Sequence, residues 1–207
     1  MDLNLNKEFN NILLNIDINN KPNLFLHVCC APCSSSVLER LNKYFKLYII
    51  YYNPNIDTKF EFEKRLKELH KLIRILNYDI DIIYENYQHT EFLNYINGFE
   101  NEPEGGKRCE KCFELRLKQS YDIALNFIKN HNMENSVNYL VSTLSVSPHK
   151  NSLLIYKIGN EICDNTIIKY LPSDFKKEDG YLRSIRLSQK YNLYRQNYCG
   201  CEFAKNE

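Results

Sequence analysis

Three groups of cysteines carry the chemistry this chain can do: Cys29-Cys30-x-x-Cys33, Cys109-x-x-Cys112 and Cys199-x-Cys201, with Cys163 alone. Grouped thiols in a chain without a secretory signature point to metal binding or redox work before structural bridging. Cys29 and Cys30 are sequence neighbours, with Cα atoms about 3.8 Å apart. That is too close for relaxed disulfide geometry, so the two read as ligands of one centre. Cys109 and Cys112 open a helical pattern and supply two more ligands, the first projecting from the loop and the second from the first turn. Four thiolates suit an iron–sulfur cluster or a structural zinc. Zinc ribbons take two spaced pairs, which the adjacent Cys29 and Cys30 match poorly, and this places iron–sulfur slightly ahead.

Cys199-Gly200-Cys201 is a different signal. A disulfide across one residue closes a small, strained ring, which raises its reduction potential and makes it labile. Gly200 supplies the backbone freedom such closure needs. The pair reads as redox-active, as a further ligand pair, or as two idle thiols. Cys163 closes an apolar helix and reads as a small buried hydrophobe. His149, Asp57 and Asp174 receive no role. Lys176, Lys177, Arg183, Arg186, Lys190 and Arg195 alternate with Tyr181, Tyr191, Tyr194 and Tyr198. They read either as a surface that grips phosphates and stacks bases or as the solvated face of an amphipathic helix.

These residues are positioned by an alternation of strands and helices. Leu24–Val28 is a short apolar run that empties into the first cysteines, followed by a helix over roughly Ser34–Tyr44. Leu47–Tyr52 repeats the pattern and empties into Asn53-Pro54-Asn55-Ile56-Asp57, on the same sheet edge if the strands are parallel. Phe62, Leu66, Leu69, Ile73 and Leu76 mark the clearest helix. Asp79–Tyr84 and Tyr139–Ser142 complete four expected strands. Helices are expected at Glu91–Tyr95, from Lys107 to beyond Ile128, and at Ser152–Ile162. Residues 1–22 read as an opening helix, with Leu5, Phe9, Ile12, Leu13 and Ile16 on one side, and 175–207 as a basic tail. The fold expected is a single α/β domain over 1–207, a parallel sheet with helices on both faces.

The 207 residues are 43% hydrophobic and 26% charged, with a net charge of +1. That is a soluble globular composition with a core large enough to need no staples. No stretch approaches a membrane span, and residues 1–8 lack a signal-peptide pattern, so the expectation is a cytoplasmic protein without a membrane partner. The near-neutral charge gives no global signal for nucleic acid, although a local basic patch is compatible with it.

Five motifs, in order, resemble one family. They are His27-Val-Cys29-Cys30-Ala-Pro-Cys33, Tyr52-Asn53-Pro54-Asn55-Ile56, Arg108-Cys109-x-x-Cys112-Phe-x-Leu-Arg116-Leu, Thr143-Leu144-Ser145-Val-Ser147-Pro148 and Tyr194-Arg195-Gln196-x-Tyr198-Cys199-Gly200-Cys201. Together, over about residues 24–204, the chain resembles the cobalamin-independent epoxyqueuosine reductases, the QueH family. The resemblance implies a Rossmann-like fold related to the alpha-hydrolase and pyrophosphatase sheets. The glycine-rich phosphate loop of those sheets is replaced here by Cys-Cys-Ala-Pro-Cys, so ATP chemistry is not expected. It also implies reduction of epoxyqueuosine at the wobble position of tRNA, the last step of queuosine biosynthesis, with electrons from an external donor. The family's 4Fe-4S ligands fall on Cys29, Cys30, Cys109 and Cys112, and its redox-active pair on Cys199 and Cys201. At Cys33 relatives often carry Asp, a position associated with a second, mononuclear iron or zinc; Cys33 would give that metal a softer ligand. Two readings without the resemblance remain: a zinc-containing thiol–disulfide oxidoreductase, and a zinc-stabilised RNA-binding module.

Overall fold

Leu24, Phe25 and Leu26 are wholly buried, and the strand they form, β1 (Asn23–His27), lies at the centre of the sheet. The structure, a computed structural model, describes residues 4–204. β1 pairs in parallel with β2 (Lys46–Tyr51) on one side and β4 (Asn138–Ser142) on the other. Beyond them β3 (Asp81–Tyr84) and β5 (Ile168–Tyr170), also parallel, form the edges, giving the order β3-β2-β1-β4-β5. A strand buried on both faces reads as a continuous apolar run, which is why β1 and β2 are visible in the sequence. β5 is a fifth strand beyond the four expected; its three residues, Ile-Lys-Tyr, are too few to show a period.

Helices cover both faces, as expected. On one face α1 (Leu5–Leu14), α2 (Ala31–Leu41), α3 (Lys59–Leu76) and α7 (Gly180–Lys190) pack over a core that includes Phe9, Leu38, Phe62 and Leu69. On the other, α4 (His89–Tyr95), α5 (Lys107–Asn130) and α6 (Ser152–Ile162) pack over Phe92, Phe113, Leu117 and Ile155. Cys163 caps α6 and is buried, as its apolar setting implied.

Bounds differ from expectation by one to three residues at β1, α2, β2, β3, α4 and β4, and by more towards the two ends. The opening helix does not run over 1–22; it ends at Leu14, before a turn in which the Asp17 carboxylate accepts the Asn19 N–H at 2.8 Å. Asp and Asn compete with helix through such local bonds, and residues 1–3 lie outside the described residues. α2 starts at Ala31 rather than Ser34, because the Cys30 sulfur accepts the Cys33 N–H at 3.4 Å and Pro32 fits the first turn. The tail of 175–207 contains α7, packed against α2, and its residues 205–207 are likewise outside the described set.

The segment after α7 returns across α3 and is fastened to it. Tyr194 bonds Glu68 through its N–H (2.9 Å) and Glu61 through its hydroxyl (3.1 Å). Arg65, buried beneath, bonds Glu61 at 2.7 Å and donates to the Cys199 carbonyl at 3.1 Å. The Asp57 N–H donates to the Gly200 carbonyl at 2.9 Å. Removing one partner of a buried ion pair strands the other charge, so Glu61→Ala should cost about 3–5 kcal/mol. Urea denaturation of the two proteins, compared at equal slope, checks that figure.

Candidate metal and redox site

Chain direction places the site. α2 and α3, which follow β1 and β2, pack on one face, while α5, which precedes β4, packs on the other. The crevice beyond the carboxyl ends of β1 and β4 is therefore a topological switch point, where open α/β sheets bind ligands. It holds a cavity of about 450 Å³ lined by Cys29 and Cys33 after β1, Thr143, Leu144 and Val146–Lys150 after β4, and Arg195–Cys199 of the returning tail. The Asn53–Asp57 loop shares this edge, because β2 is parallel to β1.

His27 locks the edge together. It is fully buried at the end of β1, its Nε2 3.1 Å from the Tyr52 carbonyl and its Nδ1 2.7 Å from the Ser142 hydroxyl. A carbonyl only accepts, so Nε2 carries the proton and Nδ1 accepts from Ser142 Oγ, which itself accepts the Leu144 N–H at 3.1 Å. Burial, with the Arg116 charge adding to it, holds the imidazole down to about 3 and hence neutral. One side chain thus ties the ends of β1, β2 and β4.

The Sγ atoms of Cys29, Cys30 and Cys33 lie within 4.8 Å of one another. Thr143 Oγ1 is 3.6 Å from the Cys29 sulfur. Cys29 is held well below the usual thiol range, first by hydrogen bonds from Cys30 and Cys33 and then by Arg116 and Thr143, against burial. Cys30 and Cys33 are correspondingly raised. Of the three sulfurs, Cys29 is the one its surroundings favour as the thiolate.

Cys109 and Cys112 stand apart from this group. They lie in the first two turns of α5 and line an adjoining, largely apolar cavity of about 90 Å³ with Phe92, Phe113, Cys199 and Cys201. Gly105 N–H donates to the Cys109 sulfur at 3.2 Å. Burial pushes the Cys112 thiol up to about 11, against the pull of Arg116 beside it. Cys199 and Arg116 line both cavities. The structure therefore brings all three cysteine groups to one sheet edge, with Cys33 rather than the α5 pair in the compact set.

The polar surroundings fit a bound group. Asn55 Oδ1, Arg65 Nη2, Arg116 Nε and Gln196 Oε1 are buried without a hydrogen-bond partner, and all four residues line these cavities. Buried polar atoms are ordinarily paired, so four unpaired ones around clustered thiols describe a site whose ligand completes it. Sulfur donors with N–H bonds to them suit iron–sulfur or another soft-metal centre. Of the basic tail residues, Arg183 is bound to Glu39 at 2.7 Å and Lys176 to Asp174 at 2.9 Å, so neither is free for phosphate; Arg195 lies over the Tyr181 ring at the cavity. Asp57 accepts from Tyr198 at 3.0 Å.

No motif marks Arg65, and Arg116 and Asn53 stand in the sequence only as letters of motifs. A signal existed for both arginines: each sits three residues after a phenylalanine of an apolar stripe, Phe62 and Phe113, and so on the buried face.

Gly200, at φ +109°, turns the chain between the last two cysteines. Both are thiols here, with Cys201 N–H 3.4 Å from the Cys199 sulfur. The Cys201 thiol, followed by Lys150, lowers Cys199 to about 6 and is itself raised. Cys199 is also the more exposed of the two. Brief alkylation of reduced, metal-free protein at neutral pH, mapped by mass spectrometry, should label Cys199 well before Cys201; equal labelling would contradict this asymmetry.

Comparison with known proteins agrees with the geometry. A family model described as epoxyqueuosine reductase QueH matches residues 24–207. A protein named epoxyqueuosine reductase QueH from Staphylococcus epidermidis is 40% identical over 190 residues, 89% of this chain and 76% of its own length. One of the same name from Streptococcus pyogenes is 37% identical over 188 residues, 89% of this chain and 71% of its own. A third, from Thermotoga maritima, is 30% identical over 184 residues, 87% and 89% respectively. With cysteines converging on a switch-point crevice and a family model spanning nearly the whole sequence, this chain belongs to the epoxyqueuosine reductase QueH family.

Proposed function

We propose that this protein reduces the epoxide of epoxyqueuosine in tRNA to the alkene of queuosine, in the cytoplasm, as one domain built of the whole chain. The observation that carries the reading is the convergence of three cysteine groups on one sheet edge, around two adjoining cavities, in a chain of this family. Cys29, Cys30, Cys109 and Cys112 are the proposed holders of a 4Fe-4S cluster, and Cys33 of a second, mononuclear iron or zinc. Bound there, such a centre supplies one-electron transfer and, at an open metal position, Lewis acidity.

The reaction consumes two electrons and two protons, leaving an alkene and water. Oxidation of the Cys199 and Cys201 thiols to a disulfide releases two electrons and two protons, which balances it, and an external reductant restores the thiols. Cys199 borders both cavities, so this dithiol adjoins the substrate crevice as well as Cys109 and Cys112. Arg65 and Asn55 hold its carbonyl at 3.1 and 3.4 Å, which fixes the pair in place. Arg195 and Tyr181 at the crevice offer a cation and a ring to a nucleoside.

The test combines anaerobic metal and sulfide analysis with incubation on tRNA carrying epoxyqueuosine, read as nucleosides by mass spectrometry. About four iron and four sulfide are expected per chain, plus any metal held with Cys33. Cys112→Ser should lose the cluster and fall to background activity. Cys201→Ser should keep the cluster and lose multiple turnover. Zinc without labile sulfide, with turnover of disulfides in the absence of tRNA, would replace the reductase by a thiol–disulfide oxidoreductase.

A further inference from the structure

Three arginines are buried, at 2% exposure each: Arg65, Arg108 and Arg116. Arg65 has its carboxylate in Glu61 at 2.7 Å. Arg108 caps carbonyls of the preceding loop, among them Glu100 O at 2.8 Å. Arg116 is different. Its Nη2 donates to the Asn53 side-chain oxygen at 2.6 Å, its Nε has no partner, and among the described residues no carboxylate lies within ion-pair distance. A guanidinium does not lose its proton in a protein, and a buried charge without a counter-charge is costly. It lines both cavities, with Cys29 and Cys33 in one and with Cys109 and Cys112 in the other, so the anions placed to answer it are sulfurs. Glu104 also lines both cavities, but from an exposed loop.

We propose that Arg116 is a positioning residue: the fixed counter-charge shared by the two separated cysteine groups, which sets the reduction potential of the centre they hold. The guanidinium is aimed by a relay. Asn53 donates to the Val28 carbonyl at 2.9 Å and accepts from Arg116, so the loop after β2 orients a cation carried by α5 towards the loop after β1. Each electron added to a thiolate-ligated centre adds negative charge in a water-poor site. A nearby fixed cation stabilises the reduced form more than the oxidised form and raises the potential. Arg65, neutralised by Glu61, contributes less of this field.

The proposal rests on the reading that the cysteines hold an iron–sulfur centre, and the experiment separates the two. Anaerobically prepared full-length protein is analysed for iron and sulfide, then titrated with dithionite and an oxidant, with absorbance read against measured potential, for wild type, Arg116→Met and Arg116→Lys. A wild type without iron and sulfide sinks the underlying reading, whatever the variants do. With the centre present, Arg116→Met should shift the midpoint to more negative potential at unchanged iron content, and Arg116→Lys should recover most of the shift. If Arg116→Met alone fails to retain iron while Arg116→Lys retains it near the wild-type potential, the need for positive charge is equally supported. Identical midpoints in wild type and Arg116→Met overturn the proposal. So do Arg116→Lys and Arg116→Met behaving alike, either in displaced potential or in loss of iron, because the role is then one of shape.

Discussion

A parallel sheet delivers every strand's carboxyl end to one edge, and the arrangement here depends on that constraint. β1 is paired on both sides, in register from Asn23 to His27, with β2 and β4. The residues after those strands therefore emerge side by side, although Cys29, Asn53 and Thr143 are far apart in sequence. His27 converts this proximity into rigidity. A neutral imidazole can accept from Ser142 and donate to the Tyr52 carbonyl at once, and a charged one could not accept. Burial, with a neighbouring cation adding to it, keeps it neutral. The cation that serves His27 is Arg116, so strand-edge geometry and site electrostatics are coupled through one guanidinium.

The tail solves a different problem. A segment outside regular structure is ordered only where it is tied down, and this one carries Cys199 and Cys201. α3 supplies the fastening, with Glu61, Arg65 and Glu68 on the surface that receives the tail. Gly200 cannot readily be replaced in this setting. Its φ of +109° favours glycine, and a Cβ would meet Ile56 Cγ1 at 3.0 Å and Arg65 Nη1 at 3.2 Å. The backbone freedom inferred from Cys-Gly-Cys is therefore used twice, for the turn between the thiols and for close approach to α3.

The legible parts of the chain were those whose burial is continuous or strictly periodic. β1 and β2 are unbroken apolar runs, and α3 and α5 carry long stripes, so their order and the edge bearing the cysteines followed directly. β5 was invisible because three residues at a sheet edge carry no period. α2 began early because a cysteine sulfur, rather than a serine or aspartate oxygen, caps it. The thiols were legible as chemistry, since their types and spacings are rare. Their charge partners were not. An arginine on an amphipathic helix reads as solvated surface unless its register is counted against the stripe, and Asn53 reads as a loop former until the sheet shows what it faces.

The sheet edge carries two cavities of different character. The larger lies among tail and loop residues of mixed polarity, including Arg195, Gln196 and Ser147, and suits a nucleoside. The smaller is mainly apolar, bounded by Phe92, Phe113 and the α5 thiols, and suits a group to be kept from water. Sulfur chemistry benefits from dryness, because an excluded solvent neither screens the fixed charges nor competes for protons. Substrate entry needs the opposite. Cys199 and Arg116 belong to both linings, so a thiol and a buried cation both lie where the two cavities meet. A dithiol held at that boundary faces the larger cavity on one side and the α5 cysteines on the other without the tail leaving α3.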